Sequence, residues 1–234
     1  MFSLGGCRIA SFLLLHSRQA VTQKLVCEET RLSKGFVSRV VSGLVREGIV
    51  KRPFKNRFSL EYPERLLVGW VGNRRVGELK TFFCGDERVL EELKRRRVKH
   101  AHTLLSGAWI DANYLRSGFK TVYVEPGFDA RKELNGFEFV EGELRELKKR
   151  VALVVADDEF VFYGVREFAS ESVVNPFLLY VDLASFGGIA LTALDSVAEK
   201  HGLPKLQAAP RSKPTQASER AQQNEKMLKK RLKR

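Results

Sequence analysis

Four polar side chains in one short stretch are spaced for recognition rather than for bond-making. Lys34, Ser38, Arg39 and Ser42 alternate with Val37, Val40, Val41 and Leu44. Those apolar positions fall at i, i+3, i+4 and i+7, the buried stripe of a helix. With the stripe inward, Lys34, Gly35, Ser38, Arg39 and Ser42 lie on the outer side. A guanidinium at Arg39 could then donate two hydrogen bonds to one base edge. The serine hydroxyls could reach bases or phosphate oxygens. Lys34, beside the free backbone N–H groups of a helix start, could neutralise a phosphate. Ser33 has the chemistry of the N-cap, and Gly48 that of the residue that stops the helix after Glu47.

Signals for catalysis and metal binding are weak by comparison. A nucleotidyltransferase needs a Gly-Ser turn followed by two metal-binding carboxylates on a strand; Ser106-Gly107 has the order reversed, and Asp111 stands alone on an expected helix. No phosphate-binding glycine loop or nucleophile-elbow pattern occurs. Asp157-Asp158 lies between the apolar runs VALVVA and EFVFYGV and reads as the tip of a hairpin. His100 and His102 have no Cys or His cluster at ligand spacing. Cys7, Cys27 and Cys84 form no CxxC and no even framework, so free thiols in a reducing cytoplasm are expected. The expectation is therefore no catalytic residue, no metal and no cofactor. Leu4-Gly5-Gly6-Cys7 has the look of a lipid-attachment box but lacks the basic and apolar segments that precede one. No apolar run approaches the roughly 20 residues that span a bilayer, so no membrane partner is expected.

The recognition residues need a scaffold, and the neighbouring sequence offers one. Apolar residues at Ile9, Phe12 and Leu13 mark a helix over 6–16, and Leu25 and Val26 mark a second over 21–30. Arg31-Leu32 turns the chain into the third. Ile49–Arg52 and Arg57–Leu60 then flank Pro53-Phe54-Lys55-Asn56 as a hairpin with a basic tip. Three helices and such a hairpin predict a winged helix-turn-helix, whose third helix enters the major groove of double-stranded DNA. Lys51, Arg52, Lys55 and Arg57 on the wing suit a backbone or minor-groove contact. The stretch CEETRLSKGFVSRVVSGLVREGIVKR resembles the helix-turn-helix core of many prokaryotic regulators.

Charge is distributed in keeping with this. The chain of 234 residues carries 41 Lys+Arg and 28 Asp+Glu, a formal net charge of +13. Residues 1–62 carry +7, residues 63–204 carry −2, and residues 205–234 carry +8. Two basic ends around a near-neutral body point to polyanion binding through the ends. In residues 206–234 aliphatic content collapses around Pro210, Ser212, Pro214 and Ser218, which predicts a disordered basic tail, either with non-specific affinity for DNA or simply solubilising.

Between the ends, Pro63 opens a helix carrying Leu66, Leu67 and Trp70, and Leu79 to Cys84 reads as a strand. Gly85-Asp86 starts a helix with Val89, Leu90 and Leu93 inward; Arg95-Arg96-Arg97 fit the negative end of its dipole. Gly107 and Ala108 read as small residues that allow close helix packing. Asn175 and Pro176 mark a strong helix start, Phe186-Gly187-Gly188 a turn, and Ile189 to His201 a last helix closed by Gly202. The fold class expected is α+β: a winged helix-turn-helix (1–62), a connecting helix or linker (63–78), a mixed α/β domain (79–205) and the tail (206–234).

The middle region also resembles a known family, the AbiEi-type antitoxins of type IV toxin–antitoxin systems and their archaeal relatives. The carrying residues are LLSGAWIDANYL (104–115), VYVEP (122–126) and VVNPFLLYVDLAS (173–185). Where the family often continues into a Gly-Arg-Gly turn, this chain has Phe186-Gly187-Gly188-Ile189 and lacks the arginine. The resemblance implies an operator-binding N-terminal domain and a C-terminal domain that neutralises a nucleotidyltransferase toxin. The expected function is a transcriptional repressor that acts on double-stranded DNA as a homodimer or cooperatively on repeats, with such a toxin as a candidate partner. The alternative is a stand-alone winged-helix regulator that senses a small ligand.

Overall fold

Three hydroxyl side chains set the beginnings of the first three helices. The computed structural model of the protein describes residues 3–55, 57–114 and 117–205; the expected tail lies outside them. Ser3, Thr22 and Ser33 accept hydrogen bonds from the N–H groups of Gly6, Leu25 and Phe36, opening α1 (Leu4–Leu15), α2 (Gln23–Thr30) and α3 (Lys34–Arg46). Each satisfies an N–H that the first helical turn leaves without a partner. Arg31 turns α2 out in a left-handed conformation, and Gly48 does the same after α3 with φ +72°, where glycine carries no Cβ penalty. Val37, Val41 and Leu44 are fully buried, each contributing roughly 1.5–3 kcal/mol of apolar burial. Val40 is only half-buried, so the inward stripe of α3 is narrower than its spacing predicts. Gly5 allows α1 to close on α3: an added Cβ would stand 2.8 Å from the Phe36 ring.

A short strand β1 (Val21–Thr22) leads into α2, and β2 (Val50–Phe54) and β3 (Arg57–Leu60) form the expected hairpin. The three strands make an antiparallel sheet in the order β1-β3-β2, with Val21 opposite Phe58 and Val50 opposite Leu60. Phe54 pairs with Arg57, and the register shifts between Lys51 and Phe54, which places a bulge near the tip.

The rest of the chain is a mixed sheet with helices on both faces. Helix α4 (Pro63–Val71), with Pro63 in its first turn as expected, leads to β4 (Lys80–Cys84), α5 (Arg88–Arg95) and β5 (His100–His102). There follow α6 (Leu104–Ala112), β6 (Lys120–Val124), α7 (Ala130–Glu133), β7 (Phe139–Glu143) and β8 (Val151–Val155). Then come β9 (Arg166–Phe168), β10 (Glu171–Val173), α8 (Pro176–Phe186) and α9 (Leu191–His201). Strand order is β7-β4-β8-β6-β5-β10-β9; β6 with β8 and β5 with β10 run parallel, the other neighbours antiparallel. The fold is α+β.

Alternation along the strands divides the core. Phe82, Cys84, Val122, Val124, Val151 and Leu153 pack with Val89, Leu90 and Leu93 of α5 on one face. The side chain of Tyr123 leaves the opposite face and meets α8, where α6, α8 and α9 pack together. Gly107 serves the close packing expected of it, since a Cβ there would lie 2.9 Å from Leu179 Cδ1 and 3.2 Å from the His102 carbonyl oxygen. Helices α1 and α4 also pack on α8, and Asn175 Nδ2 donates to Ser11 Oγ at 3.3 Å.

One element differs from expectation. EFVFYGV does not form the second strand of a hairpin; residues Glu159–Phe162 make a 3-10 turn, and β8 is flanked by β4 and β6 instead. Asp158 accepts from the N–H of Phe160 at 2.7 Å and so starts the turn. Its carboxylate also receives Arg8 Nε at 2.8 Å, while Asp157 receives Arg74 Nη1 at 2.7 Å. The two aspartates are ion-pair partners within the fold, not a hairpin tip. The last helix also begins later than expected, at Leu191, after a 3-10 turn over Gly188–Ala190.

Candidate nucleic-acid interface

The outer side of α3 carries the expected residues. Lys34, Gly35, Arg39 and Ser42 are exposed and Ser38 is half-buried. Ser33 uses its hydroxyl to hold the Phe36 N–H at 3.3 Å, so its contribution is to set the first turn. The carbonyl of Lys34 accepts from Gln23 Nε2 at 3.0 Å, which ties the start of α3 to the start of α2. Among the described residues nothing lies within 4 Å of where a Cβ of Gly35 would stand, so none of them requires glycine there.

A side-chain hydrogen bond links the hairpin to this helix. Arg52 Nη2 donates to Ser42 Oγ at 3.1 Å, and its guanidinium lies 5.5 Å over the ring of the buried Phe58. Lys51, the preceding residue, leaves the other face of β2 and pairs with Glu61 at 2.7 Å. That hydrogen bond raises the Lys51 ammonium and lowers the Glu61 carboxyl from their ordinary values. Arg52 is thus brought to α3, whereas Lys51 is turned from it. Lys55 and Arg57 are exposed near the tip. Among the described residues, no ion pair engages Lys34, Arg39, Lys55 or Arg57. These free cations, with the donors of Arg52 and two serines, form a surface suited to a polyanion.

Sequence reasoning missed Phe54. It is 70% exposed, at the end of β2 between the cations Arg52 and Lys55. An aromatic residue inside a basic segment was the available signal.

Three polar clusters lie elsewhere in the fold. Asp182 of α8 accepts from Arg74 Nε at 2.9 Å, Thr103 Oγ1 at 2.8 Å and Tyr123 OH at 2.8 Å. Burial pushes the Asp182 carboxyl up, and its three donors oppose that. Burial also works against the charge on Arg74, but Tyr123, Asp182 and Asp157 outweigh it and hold the guanidinium charged. A second cluster surrounds the fully buried Asp111, which meets His201 Nε2 at 2.7 Å and Arg166 Nη1 at 2.8 Å. Burial opposes its ionisation, yet His201 and Arg166 hold it well below the usual carboxylate range. In the third, His102 Nε2 meets Glu171 at 3.0 Å and its Nδ1 meets Ser106 Oγ at 3.2 Å. The bond to His102, with Lys94 beside it, lowers Glu171 to about 2, while burial lowers His102.

Among the described residues no group of three or more His, Cys, Asp or Glu is placed to hold a metal ion. No described helix is long and apolar enough to cross a membrane. The expected arginine cap of α5 is partly as read: Arg95 and Arg96 reach back to Glu92 at 2.6 and 2.5 Å, and Arg97 lies exposed beyond the helix.

No family model matches the chain, no curated protein matches it significantly, and no solved structure does.

Proposed function

We propose that the protein is a sequence-specific DNA-binding transcriptional regulator, acting as a repressor, with residues 1–62 as a winged helix-turn-helix. The observation that carries this reading is the exposed face of α3. It holds an unpaired Arg39, a glycine that no described neighbour requires, and a serine linked to the wing by Arg52. The order of three helices and three strands, with β1 pairing β3, supports the same reading. In this proposal α3 occupies the major groove. Arg39, Ser38 and Ser42 face base edges and nearby phosphates, Lys34 meets the backbone, and Gly35 lets the helix approach closely. Lys55 and Arg57 bind phosphates beside the groove.

The near-neutral body is proposed to bind a protein partner. The segment resembling AbiEi-type antitoxins makes a nucleotidyltransferase toxin the partner to test, in the cytoplasm and with the regulator as a homodimer on its operator. Selection of duplexes from a random-sequence library tests the DNA reading. Wild-type protein should enrich a short motif, and Arg39→Ala should lose discrimination at one position. Failure to enrich any motif overturns it. Rescue of growth by the chain on co-expression with a neighbouring nucleotidyltransferase tests the partner reading.

A second reading, a regulator that senses a small neutral ligand, draws on a cavity of about 420 Å³ beside α6. Leu104, Phe119, Phe186 and Ile189 are among its lining residues. A melting shift with a neutral apolar compound, lost in Ile189→Asp, would favour it.

A further inference from the structure

Phe54 has the highest exposure, at 70%, of the large apolar side chains described in the fold. It stands where a folded protein has least reason to place one. Its neighbours are Arg52, Pro53, Lys55 and, directly across the ladder, Arg57. No acidic residue occurs between Glu47 and Glu61. An apolar ring ringed by cations fits a partner that is both strongly anionic and able to receive an aromatic face. Duplex DNA is such a partner, with stacked bases between two rows of phosphates.

Position argues the same way. The hairpin is not a free arm, because Arg52 is held to Ser42 of α3 and packs over Phe58. Phe54 therefore keeps a defined offset from the outer side of α3. Four residue steps of β2, from Val50 to Phe54, extend about 13 Å. The step from one groove of duplex DNA to the next is about 17 Å, half a helical turn, so the strand covers most of that step. Pro53 fixes one backbone torsion just before Phe54, and the register shift between Lys51 and Phe54 locally twists the strand there.

We propose that Phe54 is an apolar wedge that enters the minor groove beside the major-groove site of α3. There it partly unstacks one base step and bends the duplex, while Lys55 and Arg57 hold the flanking phosphates. The favoured step is a flexible pyrimidine–purine step at a fixed distance from the bases read by α3. This inference rests on the DNA-binding reading above and adds a residue, a groove and a deformation to it.

The test uses the full chain and the duplex that wild-type protein selects from a random-sequence library. The duplex carries dyes at both ends and 2-aminopurine at candidate steps. Wild-type protein should shorten the end-to-end distance and brighten 2-aminopurine at one step. Phe54→Ala should bind about tenfold more weakly, with bend and fluorescence change both lost. Phe54→Trp should retain both signals. Lys55→Ala should weaken binding and keep the bend. Equal bending by wild type and Phe54→Ala overturns the wedge while leaving DNA binding in place. So does a wild-type dimer that falls apart in Phe54→Ala, or binding to phosphatidylglycerol vesicles lost in Phe54→Ala with DNA bending unchanged. If wild-type protein selects no duplex, the DNA-binding reading fails and the wedge fails with it.

Discussion

Arg74 and Asp182 stand 108 residues apart in the chain, and Arg74 Nε donates to Asp182 Oδ1 at 2.9 Å in the interior. The same carboxylate holds Thr103 and Tyr123, and the same guanidinium reaches Asp157 and Tyr123. One ion pair therefore connects the segment after α4, the strand β6, the start of α6 and the helix α8. Desolvating both charges is costly, so the pair adds little net stability over an apolar replacement, but leaving one charge alone is strongly unfavourable. Asp182→Ala should lower unfolding free energy by about 3–5 kcal/mol, measured by urea denaturation. A loss below about 1 kcal/mol would show that the pair does not hold these elements together.

That pair also marks how far the residues could be read in advance. Ser33, Gly48, Asn175 and Pro176 act within one turn of their own backbone, and each ends or begins a helix where its chemistry predicts. Arg74 carries no local signal of its role, because its partners lie 49 to 108 residues away and no local pattern announces them. EFVFYGV departs from its expected strand for a related reason. Its apolar content suits a buried strand or a buried 3-10 turn equally, and the choice falls to Asp158, which caps the turn while pairing with Arg8. On the candidate interface, charges were legible and their partners were not. Lys51 and Arg52 read alike, yet Glu61 takes one and Ser42 the other.

Acid should destabilise the fold over a broad window. The folded pKa of Glu171 is lowered from 4.5 to about 2 by His102 and Lys94. Its stabilising contribution is complete above about pH 4.5 and is lost as pH falls toward 2. Burial lowers His102 from 6.5, so the unfolded chain takes up that proton first and stability begins to fall below about pH 6.5. Both effects have the same sign. Urea midpoints should decline from pH 7 to pH 3, and Glu171→Gln should flatten the part below pH 4.5. A midpoint that rises on acidification would contradict this arrangement.

Thiol reactivity should follow burial. Burial, the largest influence, pushes the Cys7 thiol up to about 11, and burial also raises Cys84. The thiolate is the reactive form, so both should resist alkylation. At pH 8, mass spectrometry after a short iodoacetamide pulse should find Cys7 and Cys84 largely unmodified in folded protein and fully modified in urea. Rapid labelling of Cys7 in folded protein would mean that α1 opens readily from its place against α4 and α8.

Recognition and electrostatic attraction should separate by residue and by salt. Arg39 is exposed and unpaired among the described residues, so Arg39→Ala should leave the urea midpoint unchanged. If it meets a base edge bidentately, the substitution should cost about 1–3 kcal/mol of binding to the selected duplex and relax one position. Lys34→Ala should weaken selected and unrelated duplexes alike and reduce the salt slope by about one. Ser42→Ala frees Arg52 from α3 besides removing its own contact, so its effect should shrink when Arg52 is already alanine, a dependence that a double-mutant cycle measures. Additive effects at Ser42 and Arg52 would show that the two bind DNA separately and that the helix does not position the wing.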